Sequence, residues 1–329
     1  MIWIKMEPSN TTVMNYYLET IGAALSESGH DVSYAYRAEE IHPRSDDKIV
    51  AATATSAIKL FPKCRHLIYW AQGVWPEESY MRHKSKLRFL VTGILEKWVL
   101  KHAEFVFFVS NSMRTFYEEK YQLNFDGRCY IMPCANEELH QESFAAPDKY
   151  TRNVFCYAGS TSVWQCFEPT VALYRKIEEK YPDSKLLLLV SDRDTAMEYI
   201  QKYNVQNYEI NFVPVEQLPQ VLKEVKFGFV LREPSPVNSV ATPTKILTYL
   251  ANGILPIYST CLDGIHEILQ NTAYGVAYRN DGDLAQIERL MAEPPVGDAV
   301  LQEFQVIYKE HYARQTHIER IKQIFRNFS

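Results

Sequence analysis

The chain has 329 residues, with 40 acidic and 35 basic side chains and a net charge of −5. This balance excludes a general electrostatic attraction to nucleic acid, so we expect no nucleic-acid partner. The length favours two domains, because single hydrophobic cores stop growing at roughly 250–300 residues, and the hydrophobic content of 47% is ordinary for a globular protein.

The six cysteines are scattered and none lies in a C-x-x-C pair, which argues against a zinc site or a dithiol redox site. Scattered thiols fit a reducing compartment. The N-terminal residues lack the charged-then-apolar layout of a signal peptide, and no apolar run approaches the ~18 residues of a membrane span. We therefore expect a cytoplasmic protein.

The first half of the chain predicts alternating strands and helices. Ile2–Met6 is an apolar run, residues 11–28 have a helical apolar period that Gly29 ends, and "HDVSYAY" has a strand pattern. Because a strand–helix–strand unit places its strands parallel, we expect a parallel sheet. Further strands are predicted at "KIVAATA", "HLIYWAQ", "EFVFFVS" and "RCYIMPC".

A polar segment over 135–152 interrupts this rhythm and predicts a domain connection. The rhythm resumes with a strand at "NVFCYAG", a helix over 168–180, and strands at "KLLLLVS", "YEINFVP", "FGFVLRE" and "ILPIYST". We therefore predict an N-terminal domain over 1–140 and a C-terminal domain over 150–311. The last helix, about 312–329, packs either back on the first domain or on its own domain.

The stretch "VATPTKILTYLANGILPI" predicts a short, well-delimited helix. Thr242 is a good N-cap, Pro243 suits the first helical position and Gly253 suits the end. Lys245 and Thr248 are three residues apart and share the polar face.

The start of this helix predicts a phosphate site. It offers free backbone N–H groups and a partial positive charge, to which Thr242 and Thr244 add two hydroxyls and Lys245 adds an ammonium. Arg232 ends the strand "FGFVL", and ligands of open parallel sheets bind beyond the carboxyl ends of the strands. The helix alone leaves open the alternative of a capped surface helix with a solvated lysine.

Several segments, in order along the chain, resemble family-four glycosyltransferases of the GT-B fold. "SVATPTKILTYLANGILPI" is similar to their donor-site helix, and "VFCYAGSTSVWQ" to the first strand and phosphate loop of their second domain, with Tyr157, Gly159, Ser160 and Trp164 in place. "FVFFVSNSMRTFYEEKY" resembles the strand and helix that close the first domain, and "YIMPCANEE" the strand that leads into the hinge. "IYWAQGVWPEESY" resembles a loop of bacterial members that build surface polysaccharides.

The resemblance implies an α/β protein of GT-B fold, with two Rossmann-like domains whose parallel sheets face each other across a cleft. It implies a retaining, hexosyltransferase-type glycosyltransferase that needs no metal or other cofactor. The donor would be a UDP- or GDP-linked sugar. The acceptor would be a saccharide or an undecaprenyl-type lipid-linked saccharide, in the synthesis of capsular polysaccharide, lipopolysaccharide or exopolysaccharide.

The resemblance also implies roles for individual residues. The donor diphosphate would be bound by Gly159, Ser160, Arg232, Thr242, Pro243, Thr244 and Lys245. The donor sugar, ribose and base would lie near Glu233, Asn238, Ser239, Thr248, Val213 and Pro214.

The chain departs from the family pattern at the ribose site. Family members carry a glutamate where this chain has Thr248, and a partner glutamate eight residues earlier, where it has Val240. We expect Glu233 to substitute as the residue that faces the sugar. A lysine that is common near the phosphate loop has no counterpart beside Trp164 and Gln165.

The predicted acceptor domain contains a basic segment. Between Arg82 and Lys101, six bases stand against the single acid Glu96, which gives a local charge of +5. Such a segment favours contact with an anionic membrane surface, which would place the protein on the inner face of the plasma membrane. A core helix with a solvated face explains the same pattern equally well.

Three polar residues follow the strand "LIYWA", namely Gln72, Glu77 and Glu78. A carboxylate there could accept a proton from the acceptor hydroxyl, so we name these three as candidate catalytic residues.

Three alternatives remain to be weighed. Asp192-Arg193-Asp194 has the form of the metal site in the other large glycosyltransferase fold, but it lies in a connecting loop. A sugar-nucleotide epimerase of the same fold would need converging acids and histidines, for which the sequence offers no convincing set. A non-catalytic nucleotide-sugar-binding or scaffold protein is favoured by the missing glutamates.

Overall fold

The computed structural model describes residues 1–7, 12–135, 137–161, 165–214, 217–279 and 282–326. The chain divides into two compact units. The first comprises Met1–Asn136, Ser239–Thr242 and Glu310–Ser329. The second comprises Glu137–Asn238 and Pro243–Lys309.

The first unit is built on a six-stranded sheet in which every pairing is parallel, as the sequence predicts. Its strands are β1 (Ile2–Lys5), β2 (Val32–Ala35), β3 (Lys48–Ala51), β4 (His66–Ala71), β5 (Ala103–Phe108) and β6 (Cys129–Ile131). Their order across the sheet is β2-β1-β3-β4-β5-β6. The helices between them are α1 (Thr12–Glu27), α2 (Ala54–Leu60), α3 (Trp75–His83), α4 (Lys86–His102) and α5 (Asn111–Tyr121), with a 3-10 turn at Ala38–Glu40.

The second unit repeats this architecture with a second six-stranded parallel sheet. Its strands are β7 (Val154–Ala158), β8 (Lys185–Leu189), β9 (Tyr208–Asn211), β10 (Phe227–Val230), β11 (Leu255–Ser259) and β12 (Val276–Tyr278). Strand β12 was not expected, because three residues at a sheet edge are too short to show a strand pattern in the sequence.

The helices that follow β7 along the chain, apart from the last, are α6 (Phe167–Lys180), α7 (Arg193–Lys202), α8 (Leu218–Leu222), α9 (Pro236–Val240), α10 (Thr244–Ala251), α11 (Asp263–Leu269), α12 (Ala285–Ala292) and α13 (Gly297–His311). A 3-10 turn at Gln141–Ser143 precedes β7. None of the helices in the described part of the chain is both long and apolar enough to cross a membrane.

The last helix, α14 (Arg314–Arg326), packs against α1 in the first unit. Phe325 is buried with its ring centre 4.9 Å from that of Phe105 on β5. Lys322 forms an ion pair with Glu27 at the end of α1, with an N–O distance of 3.1 Å. The last helix therefore belongs to the first unit, whereas α12 and most of α13 belong to the second.

The strand order of the second sheet, β12-β11-β10-β7-β8-β9, determines where a ligand can bind. From β7 the chain adds β8 and β9 on one side, and from β10 it adds β11 and β12 on the other. The neighbours β7 and β10 therefore flank a topological switch point. The loops beyond their carboxyl ends diverge there and leave a crevice, which is where open α/β sheets bind ligands.

A close contact fixes α10 against this part of the sheet. The ring of Tyr249 on α10 lies over Gly228 of β10, so close that a Cβ added to Gly228 would come within 2.5 Å of it. The Tyr249 hydroxyl also accepts a hydrogen bond from the backbone N–H of Ala158, with an N–O distance of 3.2 Å. Tyr249 thus joins α10 to both strands at the switch point.

We expect Gly228→Ala to lower the free energy of unfolding by about 1–3 kcal/mol, because the added methyl group overpacks the contact with Tyr249. Chemical denaturation monitored by circular dichroism measures this change. Gly93→Ala is the matched control, because a Cβ at that position on α4 would meet no atom closer than 3.8 Å. The control should be neutral or stabilising, since alanine is the better helix former. Equal stability of the two variants would contradict the role of Gly228.

Candidate functional site

A pocket of about 450 Å³ lies at the switch point of the second sheet. Its walls come from the loops that follow β7, β8, β9 and β10 and from the start of α10. The predicted donor-site residues that line it are Gly159, Val213, Arg232, Pro243, Thr244, Lys245 and Thr248. The pocket therefore joins segments that are distant in sequence but lie at one edge of the sheet.

Gly159 brings the backbone close to Lys245 in this pocket. It has a φ of +139°, which side-chain-bearing residues rarely adopt, and a Cβ at this position would lie 3.1 Å from both Cε and Nζ of Lys245. Glycine is therefore needed after β7 for two reasons. Its backbone has a positive φ, and a side chain there would clash with Lys245. The adjacent Ser160 is exposed, and its carbonyl accepts a hydrogen bond from the hydroxyl of Tyr157, at 2.6 Å.

Arg232 and Lys245 converge on one neutral atom, the side-chain oxygen of Gln165. Nη2 of Arg232 donates to Gln165 Oε1 at 2.7 Å, and Nζ of Lys245 donates to the same oxygen at 3.2 Å. Nη1 of Arg232 donates to the backbone carbonyls of Gln165 and Leu231. Two cationic groups, one from the loop after β10 and one from α10, are therefore held within hydrogen-bonding distance of a single acceptor.

The electrostatics of the pair are unfavourable for positive charge. Arg232 is only 4% exposed, and burial lowers its pKa. Burial also lowers the pKa of Lys245 well below its usual range, and the positive charge of Arg232 lowers it further. The Lys245 ammonium lies 3.9 Å from the ring centre of Tyr157, a cation–π contact that partly offsets this cost. An anion bound here would favour the charged form of both side chains.

Gln165 is a component of this pocket that was not expected from the sequence. The sequence did contain a signal for it. Family members commonly carry a lysine near the phosphate loop, and this chain has no lysine beside Gln165. The preceding residues 162–164, which include Trp164 of the phosphate-loop resemblance, lie outside the described residues.

The predicted start of the donor-site helix is wrong by one residue. Helix α10 begins at Thr244, and Pro243 occupies the N-cap position without a side-chain cap. The hydroxyl of Thr242 accepts a hydrogen bond from the backbone N–H of Cys134, with an N–O distance of 3.3 Å, and so does not cap the helix. The predicted end is confirmed, since Gly253 follows the helix with a φ of +66°.

The residues predicted near the sugar, ribose and base are distributed as follows. Thr248 and Val213 line the pocket. Glu233 is exposed, and its backbone carbonyl accepts a hydrogen bond from Nδ2 of Asn238 at 2.8 Å. Pro214 is exposed. The carbonyl of Ser239, in the first unit, accepts a hydrogen bond from the hydroxyl of Ser112 at 3.0 Å.

The three candidate catalytic residues lie in the first unit. Gln72 donates a hydrogen bond to the carbonyl of Ala52, and Glu77 forms an ion pair with Lys120 at 2.8 Å. Burial raises the pKa of the Glu78 carboxyl, which lines a second pocket of about 290 Å³. A raised pKa makes a carboxylate a stronger base, which is the direction that a general base requires. The catalytic role of each stays a prediction.

The Asp192-Arg193-Asp194 segment starts a helix. Asp192 is the N-cap of α7, and its carboxylate accepts hydrogen bonds from the backbone N–H and the hydroxyl of Thr195, at 3.1 and 2.7 Å. Among the residues that the structure describes, no group of three or more His, Cys, Asp or Glu side chains is arranged to hold a metal ion. The local geometry thus accounts for Asp192 as a helix cap.

No family model and no curated protein sequence matches this chain. Its fold is similar to that of solved glycosyltransferase structures. Sucrose-phosphate synthase from Thermosynechococcus elongatus is 13% identical, with a TM-score of 0.72 over 99% of this chain and 98% of that one. Anabaena HepE in complex with UDP and glucose is 12% identical, with a TM-score of 0.68 over 99% of both chains. The chain has the GT-B fold.

The fold class inferred from the sequence is therefore confirmed. TarM from S. aureus is also similar, at 11% identity and a TM-score of 0.62 over 87% of this chain. The match covers 57% of the TarM chain, so this protein spans a little over half the length of that relative.

We expect Lys245→Met to raise the free energy of unfolding at pH 7 by about 1 kcal/mol, because it removes a poorly solvated cation beside Arg232. The lysine binds fewer protons in the folded than in the unfolded state, so its cost falls as pH rises towards the pKa of an unfolded lysine, about 10.4. Denaturation curves at several pH values test this, with the exposed Lys309→Met as control. A gain that does not change with pH would contradict the assignment.

Proposed function

We propose that this protein transfers a sugar from a nucleoside diphosphate donor to a saccharide or lipid-linked saccharide acceptor. The convergence of Arg232 and Lys245 at the switch point is the observation that carries the proposal. The first backbone N–H groups of α10 have no side-chain cap and add donors for an anion, and Gly159, which has no side chain, adds space at the same pocket.

These groups suit the main electrostatic demand of glycosyl transfer. The bond between the anomeric carbon and the diphosphate oxygen breaks, and the leaving diphosphate keeps the electron pair. Two prearranged cations in a partly dry pocket stabilise the charge that develops on it. We propose that they do so without a metal ion and that the anomeric configuration is retained. Assays of transfer with and without a chelator, and of product configuration, test both points.

The donor is proposed to be a UDP- or GDP-linked sugar. The similar structures of TarM and HepE contain UDP, which supports a nucleotide donor. Phe212 lines the pocket beside Val213 and is 74% exposed, so its ring is available to contact a base. We therefore propose that the base binds at the loop after β9, beside Val213, where it was expected from the sequence.

A second candidate function is binding of a nucleotide sugar without transfer. Thr248 supports it, because this pocket residue stands where the family carries a ribose-binding glutamate. The two functions separate in one assay, in which a panel of nucleotide sugars is incubated with a lipid-linked acceptor. Binding without a glycosylated product would favour the second candidate.

We expect Arg232→Ala and Lys245→Ala each to weaken the binding of UDP or GDP by about 30-fold, the loss typical of one charge-assisted hydrogen bond to phosphate. Isothermal titration calorimetry measures the affinities. Arg289→Ala and Lys309→Ala are the matched controls, since both residues are exposed on α12 and α13. Wild-type affinity in both site variants would refute the donor site.

The acceptor is proposed to be presented at the inner face of the plasma membrane, in the synthesis of a surface polysaccharide. Support comes from α4, where basic residues alternate with exposed apolar ones. The exposed apolar side chains are Leu87, Phe89, Leu90, Val91 and Ile94. A helix face of this composition suits an anionic lipid surface.

We expect the double variant Leu90→Ser, Ile94→Ser to reduce binding to phosphatidylglycerol vesicles by about tenfold or more, because it removes two apolar groups that would enter the bilayer interface. Co-sedimentation measures the bound fraction, and phosphatidylcholine vesicles test the need for negative charge. Val306→Ser, at an exposed apolar position on α13, is the control. Failure of the wild-type protein to bind anionic vesicles would refute membrane contact.

A further inference from the structure

The side-chain oxygen of Gln165 occupies a distinctive electrostatic position. It accepts hydrogen bonds from Arg232 at 2.7 Å and from Lys245 at 3.2 Å, in the pocket at the switch point. A diphosphate oxygen has the same geometric requirement, since it also accepts from several cationic donors at about 2.7–2.9 Å. The amide oxygen therefore lies where an oxygen of a bound anion would satisfy the two cations.

The backbone and the side chain of Gln165 contribute differently to the site. Its backbone carbonyl accepts from Nη1 of Arg232 at 3.2 Å, and that contact depends only on the loop after β7. Its side-chain oxygen is the shared acceptor and is carried on rotatable bonds. Rotation of the side chain would therefore free one acceptor position between the cations while the backbone contact to Arg232 is kept.

We propose that Gln165 is a specificity-determining residue of the donor site, whose amide oxygen occupies the position of a diphosphate oxygen and is displaced when a nucleoside diphosphate binds. This inference rests on the proposed function, because it assumes that the pocket binds the donor diphosphate.

The chemistry of the amide explains why glutamine suits this position. Buried cations without acceptors are costly, so an acceptor that holds Arg232 and Lys245 together stabilises the ligand-free pocket. A neutral oxygen makes weaker hydrogen bonds than a charged one, so a diphosphate gains free energy when it takes its place. A carboxylate here would form ion pairs with both cations and would compete with the diphosphate. The neutral amide thus keeps the cations oriented and leaves the site selective for a strongly anionic ligand.

The first test is Gln165→Glu, which changes the charge and little else. We expect it to weaken the binding of UDP and of inorganic pyrophosphate by about tenfold or more, measured by calorimetry at pH 8. We also expect it to raise the melting temperature of the ligand-free protein, because the carboxylate pairs with both cations. The opposite signs of the two changes distinguish competition from damage to the fold. Gln201→Glu, at an exposed position on α7, is the matched control and should change neither quantity.

The second test is Gln165→Ala, which removes the competing oxygen. If the amide leaves when the diphosphate binds, pyrophosphate affinity should stay within about threefold of the wild type or become tighter. A loss of tenfold or more would show that Gln165 contacts the bound ligand, and would overturn displacement. Wild-type affinity of Gln165→Glu would overturn competition.

Failure of the proposed function gives a different result. If the wild-type protein binds neither UDP, GDP nor pyrophosphate, the donor site itself is refuted. If the wild type binds them and the Gln165 variants behave like the Gln201 control, only the role of Gln165 is overturned.

Discussion

Two groups that both carry positive charge when protonated, the guanidinium of Arg232 and the ammonium of Lys245, are held around one neutral oxygen at the carboxyl edge of a parallel sheet. Such an arrangement costs free energy in the ligand-free protein, because burial and mutual repulsion both disfavour the charged forms. Several features of the second unit maintain it. Gly159 leaves space for the lysine, Tyr157 offers its ring face, and Gln165 supplies the shared acceptor.

The position of this pair depends on the packing of α10 rather than on the charged groups themselves. Tyr249 lies over Gly228 and bonds the backbone at Ala158, which anchors the helix to β10 and β7 together. Lys245 stands one turn before Tyr249 and is therefore carried to the edge of the same two strands. A buried contact without any role in binding thus sets the geometry of the residues that we propose bind the donor.

A partly buried lysine of the first unit has different partners. Lys120 forms ion pairs with Glu77 and Glu96, at 2.8 and 3.4 Å, and Glu96 also accepts hydrogen bonds from the hydroxyls of Tyr117 and Tyr121. These contacts connect α3, α4 and α5, so they serve the packing of the unit. Lys245 of the second unit instead donates to the neutral amide oxygen of Gln165. An anion that replaces this oxygen gains binding free energy, because a charged acceptor forms the stronger hydrogen bond.

The sequence by itself predicted the two parallel sheets, all but one of the strands that the structure describes, and Arg232, Gly159 and Lys245 as candidate site residues. The strands, Arg232 and Lys245 follow from local periodicity and from residue types at strand ends and helix starts, which neighbours along the chain largely decide. Gly159 follows from the resemblance of the loop after β7 to the phosphate loop of family-four glycosyltransferases. Only the tertiary structure showed that β7 and β10 are neighbours in the sheet and that Gln165 contacts both Arg232 and Lys245. Contacts between these segments join residues about 65 to 80 positions apart, and such contacts depend on strand order and side-chain rotation, which no local pattern encodes.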